Sequence, residues 1–166
     1  MKKIKHLIYF AIVGTIFTSC AKDGATGPAG PAGNANVTSD TFSIPTWSTY
    51  SYCYYYDFYS SKLTHDIINT GLVETYLSND GGTNYISLPQ IFHDAVDYWM
   101  RVRTEYDLVE LQWWYDGSGI GVSPNTYFGD TCKIKAVYIP ASVRGNHPNV
   151  NWSNYKEMEE AISHNQ

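Results

Sequence analysis

Along residues 38–140, hydrophobic and polar positions alternate with a period of two, in short runs closed by Gly, Pro, Asn or Asp. Such alternation predicts β-strands with one buried face. Residues 40–47 predict a short first strand interrupted by Pro45. Over residues 50–59, Tyr50, Tyr52, Tyr54, Tyr56 and Phe58 share one phase, while Cys53, Tyr55, Asp57 and Tyr59 share the other; the even set is expected to face the core. Residues 63–68 predict a short helical turn opened by Thr64. Residues 71–77 predict the next strand, closed by Asn79-Asp80-Gly81-Gly82, and residues 85–88 a short one ended by Pro89.

The clearest pair follows. Tyr98, Met100, Val102 and Tyr106 fall on one phase against Arg101, Arg103 and Glu105; Val109, Leu111, Trp113 and Tyr115 fall on one phase against Glu110 and Gln112. Alternation on both sides of a turn near Asp107 predicts an antiparallel hairpin with one wet face. Asp116-Gly117-Ser118-Gly119 ends it, and a loop is expected to run to Asp130. In the last strand Cys132, Ile134, Ala136 and Tyr138 oppose Lys133 and Lys135, up to Pro140. The period then changes. Tyr155, Met158 and Ile162 fall at helical spacing, with Asn154 as N-cap and Glu157 three residues on. A helix of about nine residues is marginal alone and must dock on the sheet. The expected fold is mostly β, an antiparallel β-sandwich with a short C-terminal helix.

The N-terminus obeys a different rule. Lys2, Lys3 and Lys5 precede an apolar run over residues 7–17, and Thr18 and Ser19 precede Cys20. A basic region, a short apolar region and small residues before a cut describe a secretory signal. The apolar run is too short for a bilayer span, which takes roughly 20 residues. Small residues directly before a cysteine resemble the lipobox of bacterial lipoproteins. That resemblance implies cleavage after residue 19, lipid on Cys20, and a partner that is the membrane itself. Residues 1–19 are then signal peptide, 20–37 a tether and 38–166 the β-sandwich domain.

Within the tether, Gly24, Gly27, Gly30 and Gly33 recur every third residue, with Pro28 and Pro31 after two of them. This is a collagen-like Gly-X-Y tract. Four triplets are too few to hold three chains together, so a monomeric extended spacer is expected rather than a trimer. Sixteen residues at roughly 3.1 Å each reach about 50 Å.

Charge narrows the function classes. The chain beyond residue 19 holds 8 Lys and Arg against 16 Asp and Glu, a formal charge of −8. That argues against nucleic acid, which needs a basic footprint. Fifteen Tyr, five Trp and six Phe are a heavy aromatic load and favour strands. Cys53 and Cys132 form an even pair in an exported chain, which invites a disulfide; two separately buried thiols are the alternative, since the strand phases turn Cys132 inward and set Cys53 beside Asp57. With no CxxC, CxxH or HExxH, neither a metal site nor a cofactor is expected.

Several segments together resemble the collagen-like lipoproteins of Bacteroidota. They are the lipobox, the Gly-X-Y tract ending Gly33-Asn34-Ala35-Asn36-Val37, the stretch from Leu63-Thr64-His65-Asp66 through Gly71-Leu72-Val73 into Tyr76-Leu77, Ser87-Leu88-Pro89, the strand from Lys133 to Pro140, and the tail Asn154-Tyr155-Lys156-Glu157-Met158. The resemblance implies a signal, a Gly-rich tract and a β-rich C-terminal domain. It supplies no catalytic residue. Placement in the cell envelope, anchored to the outer membrane, follows from it.

Catalytic chemistry has little support. His65-Asp66 and His93-Asp94 are adjacent pairs, but neighbours on a strand point to opposite faces. Asp57, Glu105, Asp107 and Glu110 could be imagined as a glycosidase pair, with nothing to set their separation. GxSxG, P-loop and dinucleotide fingerprints are absent. Trp99, Trp114 and Tyr59 fall on phases assigned to the outer face. Exposed, such rings stack on sugars or contact a protein; covered by the second sheet or the C-terminal helix, they are ordinary packing. The sequence therefore points to a non-enzymatic, lipid-anchored envelope protein with a structural or interaction role, a carbohydrate-binding module being the alternative.

Overall fold

The computed structural model describes residues 37–129 and 132–163. The expected signal peptide, the expected lipid attachment at Cys20 and the Gly-X-Y tract lie outside these residues. Nine strands form two antiparallel sheets. They are β1 (Thr38–Phe42), β2 (Ser48–Thr49), β3 (Cys53–Tyr59), β4 (Leu72–Ser78), β5 (Ile86–Leu88), β6 (Gln90–His93), β7 (Asp97–Glu105), β8 (Leu108–Tyr115) and β9 (Lys133–Ile139). Helices α1 (His65–Thr70), α2 (Pro124–Phe128), α3 (Ala141–Asn146) and α4 (Tyr155–Ser163) complete the fold. One sheet has the order β1-β9-β4-β5, the other β2-β3-β8-β7-β6. The expected β-sandwich with a C-terminal helix is what the chain forms. No helix among the described residues is long and apolar enough to cross a membrane.

Among the described residues the chain changes sheet four times, and two of these crossings fall at prolines. Pro45 lies between β1 and β2, and Pro89 between β5 and β6. Proline cannot donate to a ladder, so pairing stops there and the chain is free to cross. The strand expected over residues 40–47 is thereby split into β1 and the approach to β2.

Alternation then builds the core. Leu77 and Ile134 from the four-stranded sheet meet Met100, Leu111 and Trp113 from the five-stranded sheet in one cluster. All five are at most 1 % exposed, and burying each such side chain is worth about 1.5–3 kcal/mol. Tyr127 and Phe128 of α2 pack against this cluster, and Asn125 closes the same end. Asn125 Oδ1 accepts from Trp47 Nε1 (3.1 Å), and its Nδ2 donates to the carbonyls of Ile44 and Pro45.

The four-stranded sheet is buried on both faces. Val137, Ile139 and Tyr76 point away from the sandwich core, into a second cluster with Val143, Trp152 and Met158. Helix α4 is therefore docked, as its marginal length requires. Asn154 caps it: Oδ1 accepts from Lys156 N (3.1 Å) and Glu157 N (3.4 Å). Thr64 caps α1 through Ile67 N. The hairpin turn is at Tyr106-Asp107, with Asp107 in the left-handed region at φ 57.

Two expectations fail here, and the choice between a disulfide and separate thiols is decided for the thiols. Tyr106 is not inward; it leaves the ladder at the turn, is 53 % exposed and stacks on His65. Strand β6 and helices α2 and α3 occupy segments with no sequence-predicted element. Cys53 and Cys132 are free thiols. Cys53 is on the outer face of the five-stranded sheet, whereas Cys132 packs against the core between the sheets, so a bond would have to pass through the sheet.

Candidate functional site

Since the second face of the four-stranded sheet is covered by α3 and α4, the open β-surface is the outer face of the five-stranded sheet. Period two and the register arrange it in cross-strand rows. Cys53, Trp114, Trp99 and Ile91 form one; Tyr55, Gln112 and Arg101 the next; then Asp57, Glu110 and Arg103; and last Tyr59, Leu108 and Glu105.

Residues 50–52 cross the first two rows. Tyr50 N donates to the carbonyl of Cys53 (2.9 Å), turning the chain back before β3 begins. Tyr50 then stacks on Tyr55, with centroids 4.0 Å apart and 12° between planes, and Tyr52 stacks on Trp114 at 5.0 Å. This corrects the inward assignment of Tyr50 and Tyr52: they are 41 % and 53 % exposed and form the outermost rings of the face. Cys53 is fully buried on that side. Burial, and after it the negative charge of Glu110, push its thiol pKa up.

Trp99 and Trp114 are register partners, half-buried, and Arg101 lies against both. Its Cζ is 4.9 Å from the Trp114 ring centroid and 5.6 Å from that of Trp99. Beside them opens a cleft of about 510 Å³ lined by Pro89, Gln90, Ile91, Trp99, Met100 and Arg101. Tyr59, the third aromatic singled out by phase, is 66 % exposed but sits at the other end of β3. Six residues separate it from Cys53, roughly 20 Å of strand, so it does not join the cluster.

The next rows are a polar relay. Trp114 Nε1 donates to Gln112 Oε1 (3.1 Å), and Gln112 Nε2 donates to Glu110 Oε1. Arg103 pairs with Glu105 and reaches Glu110 at 3.6 Å. Glu110 is only 4 % exposed. Its cross-strand neighbour Asp57 has one carboxylate oxygen, Oδ1, buried with no hydrogen-bond partner. Burial first, and Glu110 second, hold the Asp57 pKa above the ordinary carboxylate value, with Arg103 acting in the opposite direction. Asp57 and Glu110 are thus brought side by side, while Glu105 engages Arg103 and Asp107 sits in the hairpin turn. Glu110 is committed to Arg103 and Gln112, and the neighbouring cleft contains neither carboxylate. The histidine pairs do not form: His93 Nδ1 is 2.9 Å from Asp97, not Asp94, and His65 is stacked on Tyr106.

Phase alone could find Trp99, Trp114 and the charged rows. It missed Tyr50 and Tyr52, because a period-two pattern does not reveal a fold-back. Ser51, between the two tyrosines, was the available turn signal.

These features define a β-sandwich with one open sheet face, aromatic at one end and charged at the other. Compared with protein-family models, curated proteins and solved structures, the chain has no match to any of them.

Proposed function

We propose that this chain is a lipid-anchored, non-enzymatic protein of the bacterial cell envelope. Its sandwich is a binding module, and the ligand of its open face is a saccharide. The observation that carries the reading is the ring layer of Tyr50, Tyr52, Tyr55 and Trp114 on a sheet face that no other described element covers. Aromatic faces take the apolar faces of pyranose rings, and the side chains beside them supply directional hydrogen bonds. Among the described residues Arg101, lying against the Trp114 ring, has its N–H donors unengaged for that purpose. The anchoring half rests on the lipobox-like Thr18-Ser19-Cys20 and on the resemblance to collagen-like lipoproteins of Bacteroidota. In this reading the Gly-X-Y tract is a monomeric spacer that holds the sandwich off the outer membrane.

Two experiments test it. Mass spectrometry of the native protein should find acylated Cys20 at the mature N-terminus; an unmodified Cys20 removes the anchor. A glycan array probed with the full chain should show binding that Tyr52→Ala and Trp114→Ala abolish, with folding checked by circular dichroism. Binding to no glycan, together with capture of a protein partner by the same face, would replace the saccharide with a protein ligand.

A further inference from the structure

Two arginines stand on the outer face of β7, two residues apart, and they are used differently. Arg103 is neutralised by Glu105 and Glu110. Arg101 makes no ion pair and no hydrogen bond among the described residues; only the rings of Trp99 and Trp114 hold it. The chain as a whole carries 16 acidic against 11 basic residues, so acids are plentiful, yet none of those among the described residues is placed on this guanidinium. Ring contacts fix the position of a guanidinium without consuming its N–H donors. Arg101 is exposed and lines the cleft with Pro89, Ile91 and Trp99. A second donor, Trp99 Nε1, is buried in the adjacent row with no hydrogen-bond partner.

We infer that the Arg101 cleft selects a carboxylate-bearing sugar, a uronic acid unit of an acidic glycan. The inference rests on the saccharide reading of the face and adds the chemistry that the site prefers. A planar carboxylate matches the two-donor edge of a guanidinium held against indole rings. The sugar ring attached to it then lies toward Ile91 and the aromatic layer, where its apolar face is covered. A neutral sugar would leave the guanidinium without an anion. The net negative charge of the protein repels polyanions at a distance, so the attraction is local and depends on this one side chain.

The test uses the full, lipid-bearing chain in detergent. Calorimetric titrations compare oligogalacturonate with the same oligomer methyl-esterified, and with a sulfated oligosaccharide of equal length. The acid should bind at least about tenfold more tightly than its ester, the scale of one charge-assisted hydrogen-bonded contact. Arg101→Gln should erase that difference, bringing the acid down to the variant's own affinity for the ester. Trp114→Ala weakens the packing of Arg101 itself, so Tyr52→Ala serves as the aromatic variant and should reduce acid and ester alike. Equal binding of acid and ester, unchanged in Arg101→Gln, overturns the inference and leaves the saccharide reading standing. A preference for the sulfated chain overturns the carboxylate. No binding to any of the three, with the array also blank, removes both.

Discussion

Tyr52 lies against Trp114 with ring centroids 5.0 Å apart and 29° between their planes, although β3 does not begin until Cys53. The stack holds residues 50–52 on the sheet and helps keep Cys53 at zero exposure. Tyr52→Ala is expected to cost about 1 kcal/mol, the usual worth of an aromatic pair. It should also shift tryptophan emission to the red and open Cys53 to thiol reagents. Emission spectra and reaction with a disulfide reagent check both effects; an unreactive Cys53 in the variant would show that Tyr52 is not its cover.

Free thiols make a separate prediction. Unfolded in denaturant without reductant, the protein should expose both Cys53 and Cys132 as reactive thiols. In the native state neither should react at about pH 8, because the thiolate is the nucleophile and burial pushes the Cys132 thiol up to about 11. Native reactivity of Cys132 should climb only as pH approaches that value. A peptide linking the two cysteines in a non-reducing digest would contradict the fold.

Asp57 ties stability to pH. Its folded pKa is raised above the usual 3.8, by burial first and Glu110 second. The folded state therefore holds this proton more tightly than the unfolded chain. The stabilisation it brings is complete below the ordinary Asp value and is lost as pH rises through the raised one. Asp57→Asn keeps the shape, removes the charge and can donate to Glu110. Its melting temperature should exceed that of the wild type near pH 7, and the gap should close toward about pH 4. A gap that stays constant across this range would locate the effect elsewhere.

Gly71 is needed for close approach, not for an unusual φ. A Cβ there would sit 2.6 Å from the Ile139 carbonyl oxygen and 2.9 Å from that of Ile67, both backbone. Neither can rotate away, so Gly71→Ala is expected to cost about 1–3 kcal/mol. Gly145 in α3 is the control, since a Cβ there meets nothing within 4 Å. Gly145→Ala should be neutral or gain up to about 1 kcal/mol through the unfolded state. Urea unfolding of the two variants side by side measures the contrast.

Phase was legible wherever a strand runs unbroken between two sheets. Met100, Val109, Leu111 and Trp113 are inward as alternation requires, because a one-residue slip would bury Arg101, Glu110 and Gln112 in the core. Val137 and Ile139 interrupt the pattern that Ile134, Ala136 and Tyr138 set, and helix α4 is the reason: it buries the opposite face as well. Tyr106 and Tyr50 share a phase with core residues yet lie outside the core, since a turn resets the direction of every side chain beyond it. The candidate site was half legible. Trp99 and Trp114 could be placed on the outer face, but their contact with Arg101 depends on pairing between β7 and β8.

Local chemistry was enough to mark the β-class, the caps at Thr64 and Asn154 and the hairpin at Asp107, because each is set by residues a few positions apart. The partners of Arg101 and Arg103, the nearness of Asp57 to Glu110 and the isolation of Cys53 from Cys132 were decided by strand order and register. Those depend on which apolar faces meet across the whole chain, and no short window of residues contains that information.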